Sequence, residues 1–331
     1  MKRFFVKRWF LIALAIVLAV GITQSTKLEA LAGIAAIRYG IVATVMFLMA
    51  FPLNASAIWK SMRNPWPPLL ACLLNFGLLP LVAWGISIGL SESLGLSEQM
   101  ALGIYVAAST PCTLASASVW TRRAGGNDSV AILVTVMTNM VCFFLTPLWL
   151  YWMTQGNWPD IPSLSLPNMI MKLALLVVLP MALAQLLRRS SDIARWATDN
   201  KTPLGVLAQF GVLAMIFMGS IKTGLKIYAE GGSAIRLEDF WLMVVAVLGL
   251  HLFMLALGLF LGYAFGFSRP DRIAVGIAGS QKTLMVGLQV GIEMGFSILP
   301  IVVFHVGQLL LDTLIADHLR RQGKKAKEPG I

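Results

Sequence analysis

Runs of apolar side chains, repeated along the whole chain with little charge inside them, restrict this sequence more than any other feature. Each is close to the ~20 residues that a helix needs to cross the ~30 Å hydrocarbon layer of a bilayer. Inside lipid, every backbone N–H and C=O must find a partner within the protein, so only helices and closed barrels can span. Barrel strands are about 10 residues long and alternate in polarity. The runs here are about twice that length and apolar on all sides, so the chain reads as an all-α membrane protein. Charged residues make up 12% of the 331, against roughly 25% in a soluble domain.

Ten transmembrane helices are expected, near residues 9–25, 31–57, 66–90, 98–121, 128–153, 167–187, 203–225, 238–266, 271–292 and 297–318. The distribution of charge supports that number. With a cytoplasmic N-terminus and strict alternation, nineteen of the 26 Lys and Arg residues fall on the cytoplasmic side, as orientation in a membrane demands. Lys27, Arg38, Lys172, Lys222, Lys226 and Arg236 fall on the outer side. Both termini are thus expected in the cytoplasm of a bacterial-type inner membrane. Lys2, Arg3, Lys7 and Arg8 before the stretch Phe10–Ile22 imitate a secretory signal, but no A-x-A cleavage site follows, so a retained first span is expected. The net charge of +11 does not indicate nucleic acid, because the basic residues sit in short loops and no phosphate loop or RNA-binding motif is present. Those loops and the basic tail can meet anionic lipid, although orientation alone accounts for them. Cys72, Cys112 and Cys142 lie in apolar runs without metal-ligand spacing and read as packing residues.

A Pro-rich stretch, Asn157–Pro167, divides the chain. Residues 1–156 form a first group of five spans, 157–318 a second, and 319–331 a basic cytoplasmic tail. An odd number of spans in each half forces the second to enter from the opposite side, which gives an inverted repeat. In the fourth span, Ser109-Thr110-Pro111-Cys112-Thr113 interrupts the apolar run, with Ser116 and Ser118 just beyond. Pro111 lacks an N–H and its ring clashes with the preceding turn. Two readings stand: a kinked helix with hydroxyls on the freed carbonyls, or a helix broken in mid-membrane whose ends line a site. The ninth span carries a matching interruption, Gly279-Ser280-Gln281-Lys282-Thr283. Lys282 lies near the centre of that span, too far from either end to reach water along its own helix. Such a charge must pair, face a cavity or lose its proton. Two interrupted spans in corresponding positions of two halves point to a transporter binding site.

Further polar residues could face the same place. Thr135, Thr138 and Asn139 share one face of the fifth span, and His305, Gln308 and Asp312 one face of the tenth. Hydrogen bonding between helices would account for them equally well. Asp312 is the expected counter-charge of Lys282. His251, Asn75 and Asn54 are weaker candidates. No nucleophile elbow or H-E-x-x-H motif is present, so an enzyme is not expected.

These stretches resemble the bile acid:sodium symporter superfamily, in particular its sodium/bile-acid cotransporter-like (SBF-like) branch. The resemblance is carried by Ala108–Pro147, by Gly279–Gly287 and by Leu299–Leu309, including the T-R-x-A-G-G-N segment Thr121–Asn127 and the F-H-x-x-Q-L segment Phe304–Leu309. It implies two inverted five-helix repeats, fourth and ninth helices that break and cross, and a six-helix core moving against a four-helix panel. It implies an organic anion as substrate, a bile acid, sulfated steroid or small carboxylate, carried with sodium, and places Asn127 among the site residues. The sequence departs from the pattern in the fourth helix, where Ala117-Ser118 is the nearest match to the expected Ser-Asn pair, and in the ninth. The sodium-coupled members carry a Glu shortly before the Gln of the ninth helix and an Asn after it. Here Ile277-Ala278-Gly279-Ser280 contains no acid, and Lys282 follows Gln281. Lys282 is therefore expected to stand in for a coupling cation, with sodium near Gln281 or a proton as the alternative coupling ion and no other cofactor. A non-transporting membrane regulator of the same fold, and a channel, are the competing readings.

Overall fold

The computed structural model describes residues 2–53, 64–155, 165–229 and 236–325. Asn54, most of the Pro-rich linker and the end of the tail lie outside the described residues. Everything regular among the described residues is helical. The chain runs through α1 (Lys2–Thr23), α2 (Ser25–Gly33), α3 (Ala35–Ala50), α4 (Trp66–Leu94), α5 (Glu98–Ser109), α6 (Ser116–Arg123) and α7 (Asp128–Met153). It continues through α8 (Leu166–Leu187), α9 (Ser191–Asp199), α10 (Lys201–Ala229), α11 (Leu237–Ala264), α12 (Arg269–Ser280), α13 (Leu284–Met294) and α14 (Leu299–Lys325).

Among the described residues six helices, α4, α7, α8, α10, α11 and α14, are long and apolar enough to cross a membrane. A seventh results if α1 and α2, bent by 102°, are one span. The continuous spans are thus fewer than the ten expected, and the shortfall has local causes. The fourth and ninth spans are each divided into two short helices. At the N-terminal end, residues expected to be a loop form α2, and α3 is shorter than the span expected at 31–57. The loop expected after α8 contains α9, whose exposed Ile193 and Trp196 accompany charged Asp192 and Arg195. The tail expected from residue 319 continues α14 as helix to Lys325.

Proline and glycine punctuate these helices in familiar ways. Pro67, Pro167 and Pro270 occupy first-turn positions, where no N–H is needed. Gly95 and Gly295, at φ 69° and 72°, end α4 and α13 in the left-handed conformation that glycine adopts without strain. Wider π turns, Leu73–Leu78 in α4 and Ala174–Val178 in α8, each come just before a Leu-Pro pair, Leu79-Pro80 and Leu179-Pro180. Proline cannot donate back to the preceding turn, so the helix widens there.

Packing divides the helices into two groups. α10 lies on α1, α2 and α3, and α8 on α3. α11 lies on α12 and α14, while α12 also packs on α4, α6 and α7. The groups meet where α13 touches α3 and α10 and where α8 touches α7. α11 and α12 approach closely because Gly258 faces Gly276: a Cβ on Gly258 would stand 2.8 Å from the Gly276 Cα.

Candidate functional site

The interruption between α5 and α6 follows from local sterics. The residue before a proline is disfavoured in the α region, and Thr110, before Pro111, is extended at φ −77°, ψ 159°. The interruption between α12 and α13 has no proline. Gln281 and Thr283 are nonetheless extended, at ψ 142° and 140°. Tertiary contacts account for it. The Gln308 amide on α14 holds both backbone groups of one residue, accepting from Lys282 N–H at 2.8 Å and donating to the Lys282 carbonyl at 2.8 Å. His305 Nδ1 lies 3.2 Å from the same carbonyl.

The two interruptions touch. Thr283 N–H donates to the Pro111 carbonyl at 2.8 Å. The Gln281 side-chain oxygen accepts from Thr113 Oγ1 at 2.6 Å and from Ser116 Oγ at 2.9 Å. α7 supplies partners for the carbonyls that the first break frees: Thr135 Oγ1 donates to Thr113 O at 3.1 Å, Asn139 Nδ2 to Cys112 O at 2.8 Å, and Thr146 Oγ1 to Ser109 O at 2.7 Å. Thr138 Oγ1 accepts from Cys112 N–H at 3.2 Å. The hydroxyls of Ser109, Thr110 and Ser280 bond back into their own helices.

Lys282 is 2% exposed and sits where α4 passes the crossing. Its ammonium donates to the Asn75 carbonyl at 2.6 Å, the Asn75 side-chain oxygen at 3.2 Å and the Thr110 carbonyl at 2.7 Å. Three N–H groups meet three oxygens, and the Phe76 ring faces the nitrogen at 5.1 Å. The Asn75 carbonyl is available because of the π turn. Leu79 N–H bonds Leu74 O, so the next donor along would be Pro80, which has none. The Asn75 amide nitrogen meanwhile donates to the C-terminal carbonyls of α12, at 3.2 Å to Ala278 O and 2.8 Å to Gln281 O. The C-terminal ends of α5 and α12 thus converge here, and helix C-termini favour positive charge.

The expected Lys282–Asp312 pair is not formed. Asp312, fully buried, accepts from Gln281 Nε2 and lies 3.1 Å from His251 Nε2. The lysine extends toward α4 while α14 presents Asp312 to α11, on the other side of Gln281. His251 Nδ1 lies 3.3 Å from the Ser280 carbonyl.

Of the residues picked out in the sequence, Ser109, Thr110, Pro111, Thr113, Ser116, Thr135, Thr138, Asn139, Ser280, Gln281, Lys282, Thr283, His305, Gln308 and Asp312 are at or directly bonded to the crossing. Asn127 is not. It caps α7 through Ser129 N–H and donates to Asp271 Oδ1 at 2.8 Å, roughly 12 Å along the helix from Thr135 at 1.5 Å per residue. Ser118 is buried on α6 without a bond to either break. Asn75 and His251, ranked low in the sequence, are central. An Asn beside a Leu-Pro pair and a lone His in an apolar run were the signals available for them.

Two interrupted helices that meet and bury a charge between them are the arrangement expected of a binding site in a helical membrane transporter. The SBF-like CPA transporter family model matches residues 8–321, and the chain belongs to that family. It is similar to sodium/bile acid cotransporter 7-A of Xenopus laevis, at 23% identity over 95% of this chain and 92% of the relative. It is also similar to sodium/bile acid cotransporter 7 of Rattus norvegicus, at 23% identity over 98% of each chain. An uncharacterized protein of Pseudomonas aeruginosa is 26% identical over 84% of this chain and 82% of its own length.

Proposed function

We propose that this protein carries a small organic anion across the inner membrane by alternating access, with the Lys282 ammonium fixed where a sodium-coupled relative would hold a coupling cation. The ring of three oxygens around the lysine nitrogen, with no carboxylate among them, carries this reading. An ammonium replaces a monovalent cation in charge and in its demand for oxygen ligands. Of the side-chain oxygens near the break, Gln281 Oε1 already accepts two hydroxyls, while Asn139 Oδ1 is buried without a partner. A proton is the alternative coupling ion. The bile acids in the relatives' names suggest the class of anion.

On this reading the chain crosses ten times, with α1 and α3 as separate spans and α5–α6 and α12–α13 each crossing as a broken pair. Residues 1–156 and 157–318 form the two inverted repeats, and both termini with the tail at 319–331 face the cytoplasm. α4, α5–α7 and α11–α14 form the core, and α1, α3, α8 and α10 the panel. The test is uptake of a radiolabelled bile acid into proteoliposomes. Saturable uptake that is equal in Na⁺ and K⁺ and lost in Lys282→Gln is expected. Uptake that needs Na⁺ and is indifferent to Lys282→Gln would refute the lysine's role. Wild-type protein that carries no tested anion, yet loses stability in the variant, would favour a regulator of the same fold.

A further inference from the structure

The end of α13 away from the crossing lies in a second, separate concentration of charge. Glu293 there accepts from Tyr39 Oη on α3 at 3.0 Å and from Gln289 at 2.6 Å, and is paired with Lys172 of α8. Its two oxygens already take three donors. Close by, Arg38 on α3 is 5% exposed, and its Nε has no hydrogen-bond partner. Lys222 on α10 is half-buried, makes one long contact of 3.4 Å to the Ile292 carbonyl, and lies within electrostatic range of Arg38, Glu293 and Lys226. Lys222, Lys226 and Arg236 line a cavity of about 750 Å³ between α10 and the end of α13. Arg236 is paired with Asp239 at 2.9 Å. Among the described residues Arg38, Lys222 and Lys226 have no carboxylate within salt-bridge distance.

Two lysines on the cavity wall have no salt bridge among the described residues, and with Arg38 buried within electrostatic range of Lys222 they repel at a cost that falls when negative charge arrives. A single negative charge leaves one of the two lysines unbalanced; two charges match both. The rest of the wall includes Met100, Phe296 and Ile298, apolar side chains that suit a hydrophobic body. The volume lies within the roughly 300–1,000 Å³ of small-molecule sites. We infer that this cavity binds an amphipathic dianion, of the phosphate monoester or dicarboxylate kind, with its charged end on Lys222 and Lys226 and its apolar body against Met100, Phe296 and Ile298. The inference rests on the transport reading for its purpose, since the cavity opens between the two helix groups proposed to move. It does not need that reading for its chemistry.

The test is equilibrium binding to the purified full chain of naphthyl phosphate and naphthyl sulfate, well above pH ~6, where the phosphate carries two charges and the sulfate one. The phosphate should bind at least about tenfold more tightly. Lys222→Gln and Lys226→Gln should each weaken it by about tenfold, and Lys222→Arg should keep it. Both lysines reach the surface, so their variants are safe for folding. Competition by phosphatidic acid in nanodiscs would assign the site to a lipid headgroup; its absence, with weak binding of inorganic phosphate, would assign it to a soluble amphiphile. Equal affinity for phosphate and sulfate, or a Lys222→Gln protein that binds both unchanged, would overturn the inference. Selective binding without flux in proteoliposomes would leave this site standing and remove the transport reading; flux without selective binding would do the reverse.

Discussion

At the scale of single residues, the account turns on hydrogen-bond arithmetic around Lys282 and Asp312. Replacing Lys282 by Met keeps length and apolar bulk but orphans the Asn75 carbonyl, the Asn75 side-chain oxygen and the Thr110 carbonyl. Each orphaned buried acceptor costs about 1–3 kcal/mol, at the low end in membrane proteins. Lys282→Gln brings two N–H groups and covers part of the loss. Thermal unfolding should therefore rank wild type above Gln and Gln above Met; equal losses would show that the three contacts contribute nothing. Asp312 offers a second case. An Asn there keeps an oxygen that can accept from Gln281 and a polar group beside His251 Nε2. Asp312→Asn should therefore lose less stability than Asp312→Ala, which should lose about 1–3 kcal/mol. Equal losses in the two variants would mean that these contacts contribute nothing.

At the scale of elements, what the sequence could reveal depended on whether the cause was local. The break at Thr110 was legible because Pro111 imposes it on its neighbour. The break at Gln281 to Thr283 was visible only as polarity, since its cause is Gln308, more than twenty residues away on another helix. The partner of Asp312 was misread for the same reason. Helical spacing puts His305, Gln308 and Asp312 on one face but does not say which neighbour that face meets, and His251 on α11 takes the carboxylate in place of Lys282. The cluster around Glu293 was missed outright, because its members come from α3, α8, α10 and α13 and share no spacing. α9 escaped notice because nine residues with both charge and Trp read as a loop. The close approach of α11 and α12 gives a further prediction. Gly258 and Gly262 form a small-xxx-small stripe, and a methyl on Gly258 meets backbone rather than a flexible side chain. Gly258→Ala should lower stability by about 1–3 kcal/mol and disturb the position of Ser280 under His251. An unchanged melting temperature would contradict that packing.

At the scale of the whole molecule, orientation is the property that composition fixes best, through the bias of Lys and Arg between loops. In a Cys72→Ala background, a cysteine at Ser191 should react with an impermeant maleimide only from the cytoplasmic side, and one at Glu92 only from the opposite side. Both positions are exposed, and Cys112 and Cys142 are buried. The reverse pattern would invert the topology, and labelling of both from one side would break the alternation. The division into two helix groups, joined near α13, places the buried lysine on one group and basic side chains of the other around the cavity above it. On the proposed reading, movement of one group against the other would expose the crossing alternately.

The most direct measurement is the thermal stability of the purified wild-type protein and of Lys282→Ala in Na⁺ against K⁺ at equal ionic strength. A ligand that binds only the folded state raises the melting temperature by mass action. If the ammonium occupies the place of a cation, the wild type should be indifferent to the exchange, and Lys282→Ala, with its oxygens freed, should be stabilised specifically by Na⁺. A Na⁺-specific rise in the wild type that persists unchanged in the variant would place a sodium site elsewhere and contradict the role assigned to Lys282.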